Sequence, residues 1–262
     1  TTLDGLIAAP KQRLTLFKTA SMTAVAAFPF SNFALAGNPG AGVLAGTSTT
    51  TGVVATDATA GCPVINAFGA GATGRLLNVE FGSTVACRIS VFDMLWKAGA
   101  YAFNANTSGQ TSTSFSSRVP GGTDFTECEL WYEQVTAGTG IQNVAVTYTN
   151  QAGTTGRSTG TVAAPLAMIL GRMMPLPLAA GDSGVQAVSG VVGSVASAGT
   201  FNILVMRKLW EGRVMIATYG DLHDYLRTGM PQVFADSALR LVITPDSTAT
   251  GLPGVHLTIG NA

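Results

Sequence analysis

The sequence predicts a mainly β protein: a β-sandwich or jelly-roll-like core with an extended N-terminal arm and one or two short helices. Three observations predict it. In residues 144–149, Val144, Val146 and Tyr148 alternate with Ala145, Thr147 and Thr149, the period of a half-buried strand. Turn-rich patches such as Asn150-Gln151-Ala152-Gly153 separate strand-like runs at near-regular spacing. Hydrophobic residues make up 47% of the 262, enough to fill a core.

The elements follow in order. Residues 1–36 read as an arm, with Leu3–Ala9 as a short helix or turn before Pro10. Residues 37–61, low in complexity, read as an extended Gly/Thr-rich loop, so that 1–61 forms the arm and 62–262 the core with a C-terminal strand pair. Residues 11–37 imitate a secretory signal, but Ser21, Thr23, Ser31, Asn32 and the Phe28-Pro29-Phe30 break interrupt the apolar run, which weighs against secretion. No run reaches the roughly 18 apolar residues of a membrane helix.

Residues 75–92 carry strand patterning, with Val85, Cys87, Ile89 and Val91 on one face. Asp93–Trp96 reads as a short turn or helical piece, and 104–117 as a polar loop. Further strands are predicted at 125–135, 141–149, 155–165, 184–193 and 201–209. The prolines of Met173-Met174-Pro175-Leu176-Pro177 predict an edge strand there. The best helix candidate is 219–229, with Asp221 near its start and Gly229 just past its end. The tail, 238–260, reads as two strands around a Pro/Gly loop.

Composition narrows function. Only 11% of residues are charged, and 14 Lys and Arg balance 14 Asp and Glu. A general nucleic-acid binder needs a basic surplus to neutralise phosphates. A near-neutral surface of Thr, Ser, Asn, Gly and Ala is prone to association. Cys62, Cys87 and Cys128 are odd in number and form no C-x-x-C pair, so they read as buried small apolar side chains rather than a disulfide framework or zinc site.

Several motifs invite chemistry and fail its requirements. Gly181-Asp182-Ser183-Gly184 offers Ser183 as a nucleophile, but His223 and His256 both follow it, and position 185 is Val where the α/β-hydrolase elbow needs Gly. The favoured reading is a turn in which Asp182 bonds its own backbone. Residues 69–74, GAGATG, match G-x-G-x-x-G with Asp93 nineteen residues on. The following RLLNVEF reads as strand, and without a helix N-terminus a phosphate has no dipole to bind. Asp221-Leu222-His223-Asp224 reads as a solvated helix start rather than a metal site, because adjacent residues on a helix point apart. Glu127, Glu129 and Glu133 share a strand face with Trp131, opposite Cys128, Leu130 and Tyr132, and read as a polar edge or an inter-subunit contact with Arg. Trp96, Trp131 and Trp210 could stack on sugars, but suit core or interface anchors better.

Three stretches in fixed order carry a resemblance: FDMLWKAGA (92–100), VTYTNQAGTTGRSTGTV (146–162) and PLPLAAGDSGVQAVSGVVGSVASAGTFNILVMRKL (175–209). Together they resemble a family of tailed-bacteriophage virion proteins, with a Leu-Trp element, a T-Y-T-N-x-x-G-x-x-G-R hairpin and a P-L-x-x-G-D-x-G-V strand. The resemblance spans about residues 91–208, under half of the chain, and leaves 1–60 and 210–262 uncovered. It implies a β-rich structural protein on or near the capsid, without catalytic residues. The expectation is therefore a non-enzymatic capsid decoration or cement protein of the virion, assembled in the host cytoplasm. Its expected partners are the major capsid protein and itself, as a homotrimer, with no cofactor, metal, specific nucleic acid or membrane. Expected interface residues are Trp96, Trp131, Tyr148, Arg157 and Trp210, with the 1–60 arm clasping neighbours. The alternatives are a tail, neck or baseplate protein, a carbohydrate-binding β-sandwich module with exposed Trp faces, and a hydrolase using Ser183 with His223 or His256.

Overall fold

Alternation along residues 143–150 produces a strand whose Val144, Val146, Tyr148 and Asn150 are buried while the residues between them stay half-exposed. A computed structural model describes residues 2–165, 168–194 and 198–261. In chain order it begins with α1 (Leu3–Ala8), β1 (Lys11–Lys18), β2 (Phe30–Ser31), β3 (Gly37–Asn38), β4 (Ser48–Val54), β5 (Gly74–Ser83), β6 (Cys87–Ala102) and β7 (Asn106–Ser108). Next come β8 (Cys128–Thr136), β9 (Asn143–Asn150), β10 (Arg157–Ser158), β11 (Val162–Ala163), β12 (Met173–Pro175), β13 (Val185–Gly193) and β14 (Thr200–Val214). The remainder is β15 (Tyr219–His223), α2 (Tyr225–Thr228), β16 (Gln232–Val233), β17 (Leu239–Pro245) and β18 (Gly254–Asn261). The chain is mainly β, as expected.

Three antiparallel sheets result. The central one runs β12-β8-β14-β6-β17-β2, with β4 also on β6. The second runs β10-β9-β13-β7, with β11 also on β9. The third runs β15-β5-β18-β1-β3, with β16 also on β5. The predicted edge strand at the Met-Pro run is β12, at one end of the central sheet.

Three hydrophobic clusters hold these sheets together. In the first, Leu130, Tyr132, Ile203 and Val205 of the central sheet meet Val144, Val146, Val188 and Val191 of the second. In the second, Ile89, Val91, Trp210 and Leu241 of the central sheet meet Val79, Phe81, Val255 and Leu257 of the third. Strands β6 and β14, 16 and 15 residues long, run through both. Their alternate residues, Phe92, Met94, Leu204 and Met206, enter a third cluster with Phe33, Ala55 and Cys62. The central sheet is thus covered on both faces, and its strands lose the apolar–polar alternation that marks a one-sided strand.

Several expectations change. Residues 93–96 are not a turn but the middle of β6; Asp93 is polar yet fully buried, because Arg118 and Ser237 neutralise and hydrogen-bond it. The segment expected as an arm is woven into the chain's own sheets. Strand β1 pairs with β18 from Lys11↔Gly260 to Phe17↔Gly254, β4 pairs with β6, and Thr23 bridges Ala249. The predicted strand over 155–165 is two short pieces, β10 and β11, because Gly156 and Gly160 take positive φ (70° and 66°) and turn the chain between ladders. The predicted helix over 219–229 is a strand followed by one helical turn. Pairing of Tyr219–His223 with β5 prevails, and Asp224 rather than Asp221 caps the helix, accepting from the backbone N–H of Leu226 and Arg227. The tail forms two strands around its Pro/Gly loop, but they do not pair: β17 joins β6 in the central sheet and β18 joins β5 and β1 in the third.

Candidate interaction surface

Residues of the 146–162 hairpin and the 175–209 stretch converge on one carboxylate. Asp182, whose side chain is 3% exposed, accepts hydrogen bonds from Tyr148 Oη (2.7 Å), Asn150 Nδ2 (2.7 Å) and Arg157 Nε (2.8 Å). Tyr148 Oη also accepts from the backbone N–H of Ala179 (2.7 Å). The GDSG turn is therefore fastened to the β9–β10 hairpin, and Asp182 bonds these side chains, not its own backbone as expected from the sequence. Gly184 fits because an added Cβ would lie 1.9 Å from the Phe125 carbonyl oxygen. Ser183 is exposed, and its N–H donates to Gln151 Oε1 (3.0 Å). The two histidines are engaged in the third sheet: Nδ1 of His223 accepts from Trp210 Nε1 (3.0 Å), and Nδ1 of His256 lies 2.9 Å from Thr15 Oγ1.

The hydrogen bond from Arg157 is the largest influence on Asp182 and, with those from Asn150 and Tyr148, holds its carboxyl down to about 2. An unfolded aspartate titrates near 3.9. Above that value the cluster contributes its full stability; as pH falls from about 4 to about 2 the unfolded chain takes up the proton first and the contribution is lost. Asp182→Asn is therefore expected to lower the urea midpoint at pH 7 and to leave a flatter pH dependence of stability between pH 4 and pH 2 than the parent. Parallel curves for the two proteins would rule out this role.

The other candidates are core residues of this chain. Trp96, Trp131, Tyr148 and Trp210, expected as interface anchors, are all buried, Trp96 at 0% exposure. Each Trp N–H has its partner inside the chain: Thr51 O (3.0 Å) for Trp96, Glu129 Oε2 (2.8 Å) for Trp131 and His223 for Trp210. Arg157 is partly exposed but committed to Asp182. The alternation around Trp131 holds within β8, but the three glutamates differ: Glu127 precedes the strand at φ 66° and is exposed, and Glu129 is half-buried beside Lys208. Glu133 is buried, pairs with Arg240 and accepts from Asn202 Nδ2 (2.9 Å). The expected arginine thus comes from β17 of the same chain. All three cysteines are free and buried, and burial pushes the Cys62 and Cys128 thiols up to about 11 and about 12. Gly74 of the G-x-G-x-x-G match opens strand β5, as its sequence suggested, and no helix follows it there. Among the described residues, no three or more His, Cys, Asp or Glu side chains gather as a metal site. No described helix is long and apolar enough to cross a membrane.

Exposed apolar side chains flank β15, the edge strand of the third sheet. On one side a groove of about 860 Å³ is lined by Glu80, Phe81, Leu222, Leu252 and His256, among others. On the other a smaller hollow of about 130 Å³ lies among Phe81, Met215, Ile216 and Tyr219. Met215, Ile216, Tyr219, Leu222 and Leu252 are all exposed, Met215 at 68% and Leu222 at 53%. Sequence reasoning missed this surface, because residues 219–229 read as a helix and Met215-Ile216 lay between the predicted elements, after the strand at 201–209. The available signal was an apolar pair at a chain corner with no polar residue between.

No protein-family model matches the chain, and no curated protein matches it. Among solved structures it is similar to that of infectious bursal disease virus, Gt strain, at 10% identity over 97% of this chain and 81% of that chain, with a TM-score of 0.19. The crystal structure of the infectious bursal disease virus VP2 subviral particle gives 10% identity, 97% and 80% coverage and a TM-score of 0.19. At these values no residue role transfers.

Proposed function

We propose that this chain is a structural subunit of a tailed-bacteriophage virion, a capsid decoration or cement protein that acts through subunit contacts and not through catalysis. The observation that carries this reading is the convergence of Tyr148, Asn150, Arg157 and Asp182. These residues belong to two of the three stretches that carry the virion-protein resemblance, and here they form one structural clasp between a hairpin and a turn. A charge content of 11% and an exposed apolar corner suit a subunit that packs against the major capsid protein and against copies of itself, as a homotrimer. Such a subunit stabilises a shell by area, with about 800 Å² per partner in a standard contact, and opposes the outward push of packaged genome. The carbohydrate-binding alternative asks for open Trp faces, and all three Trp residues are buried. The hydrolase alternative asks for a base beside Ser183, and both histidines are engaged in another sheet.

Copy number tests this reading. In particles purified from the phage that encodes the chain, quantitative mass spectrometry is expected to give a stoichiometry that scales with the number of capsomers. A few copies per particle would move the protein to the tail, neck or baseplate, and its absence from particles would end the virion reading.

A further inference from the structure

We propose that the side chains of Lys97 and Asn202 join in an intramolecular amide bond, made by the folded chain itself with release of ammonia. Three adjacent strands of the central sheet supply the parts: Lys97 on β6, Asn202 on β14 and Glu133 on β8. Asn202 lies opposite Glu133 in register, and both are fully buried. Lys97 Nζ donates to Leu44 O (3.4 Å), and Asn202 Nδ2 donates to the same oxygen (2.7 Å), so amine and amide lie side by side. Gly99 leaves room for the amide, since a Cβ there would overlap Asn202 Oδ1.

The surroundings prepare each group. Burial is the largest influence on Lys97 and pushes its pKa down, against a smaller upward pull from Glu133. A neutral amine has two N–H donors and one lone pair. The donors match two carbonyl oxygens, Val43 O (2.9 Å) and Leu44 O, and the lone pair is left for attack. The Gly46 N–H donates to Asn202 Oδ1 (2.9 Å), where it polarises the carbonyl and receives the negative charge of a tetrahedral intermediate. On the other side of the amide, Nδ2 donates to Glu133 Oε2 (2.9 Å), while Arg240 pairs with the second oxygen of that carboxylate.

The step balances. The Nζ lone pair forms a bond to Asn202 Cγ, and the Cγ–Nδ2 bond breaks. Glu133 takes one proton from the attacking nitrogen and delivers it to Nδ2, which leaves as ammonia. Glu133 ends as it began, and nothing is oxidised or reduced. The product ties β6 to β14, the two strands common to both main cores. It concerns the folded chain alone and does not depend on the virion reading.

Mass spectrometry tests the bond. The full chain, denatured after purification, is expected to weigh one ammonia less than its sequence. A tryptic digest is expected to give one branched peptide that joins the segments around residues 97 and 202 and is uncut after Lys97. Lys97→Arg and Asn202→Ala are expected to show their full sequence masses and no branched peptide. Glu133→Gln still accepts from Nδ2 but carries no proton, and is expected to form the bond about a hundredfold more slowly, read as the unjoined fraction during incubation. Should these buried variants fail to fold, the parent decides alone. A parent that keeps its full sequence mass after incubation at mildly alkaline pH would overturn the proposal, as would an ammonia loss that the digest places at another residue.

Discussion

Asp93→Ala is expected to destabilise the chain by about 3–5 kcal/mol, among the largest effects of any single substitution. Asp93 is fully buried in the middle of β6. Its carboxylate pairs with Arg118, itself buried, and accepts from Ser237 Oγ (2.7 Å) and the Ala238 N–H (3.0 Å). Arg207 stands 3.9 Å away. Removing the carboxylate leaves the Arg118 cation without its buried counter-charge and two further donors without an acceptor. Urea unfolding followed by fluorescence reads the shift in midpoint. Glu211→Gln supplies the contrast: Glu211 lies 3.4 Å from Arg88, both side chains are at least a third exposed, and the loss is expected to stay under about 1 kcal/mol. Similar losses for the two variants would mean that the Asp93 cluster does not anchor the fold.

Phe201→Ala is the second large effect, expected at about 3–5 kcal/mol. Phe201 is fully buried on β14, stacked on Tyr132 at 5.3 Å between ring centroids and flanked by Phe103 at 5.1 Å and Tyr101 at 5.6 Å. The truncation removes a ring that three others touch and leaves a void that rigid sheets cannot close. Phe201→Leu, which refills most of the space, is expected to cost only about 1–2 kcal/mol. Equal costs for Ala and Leu would show that the site relaxes and that the aromatic packing adds little.

The strands with one wet face were legible in the sequence. Val144, Val146 and Tyr148 announced β9, and the prolines of the Met-Pro run placed β12 at an edge. The doubly covered strands were harder. Asp93 and Glu133 are polar residues on buried faces, and alternation assigns such residues to water unless their arginines are known. Those arginines, Arg118 and Arg240, lie 25 and 107 residues away, beyond any local pattern. The same limit hid the role of Asp182, whose three donors arrive from a separate hairpin. Tryptophans offered the opposite difficulty. Their size suits an interface and a core equally, and only the packing of β4 and the loops over the central sheet assigns Trp96 and Trp131 to the interior. The apolar corner escaped notice because hydrophobicity along a chain does not say which residues lie beyond the last paired strand.

The length of β6 and β14 has a mechanical consequence. Each is one continuous strand that contributes to both cores, with three register shifts in their mutual pairing, so the two halves of the molecule share the same backbone segments. A pull entering at the β1–β18 side reaches the β9–β13 side along strands loaded in shear, where many ladder hydrogen bonds resist together and none bears the whole force. A single cooperative unfolding transition is the expected consequence, since loss of either core removes packing from the same two strands.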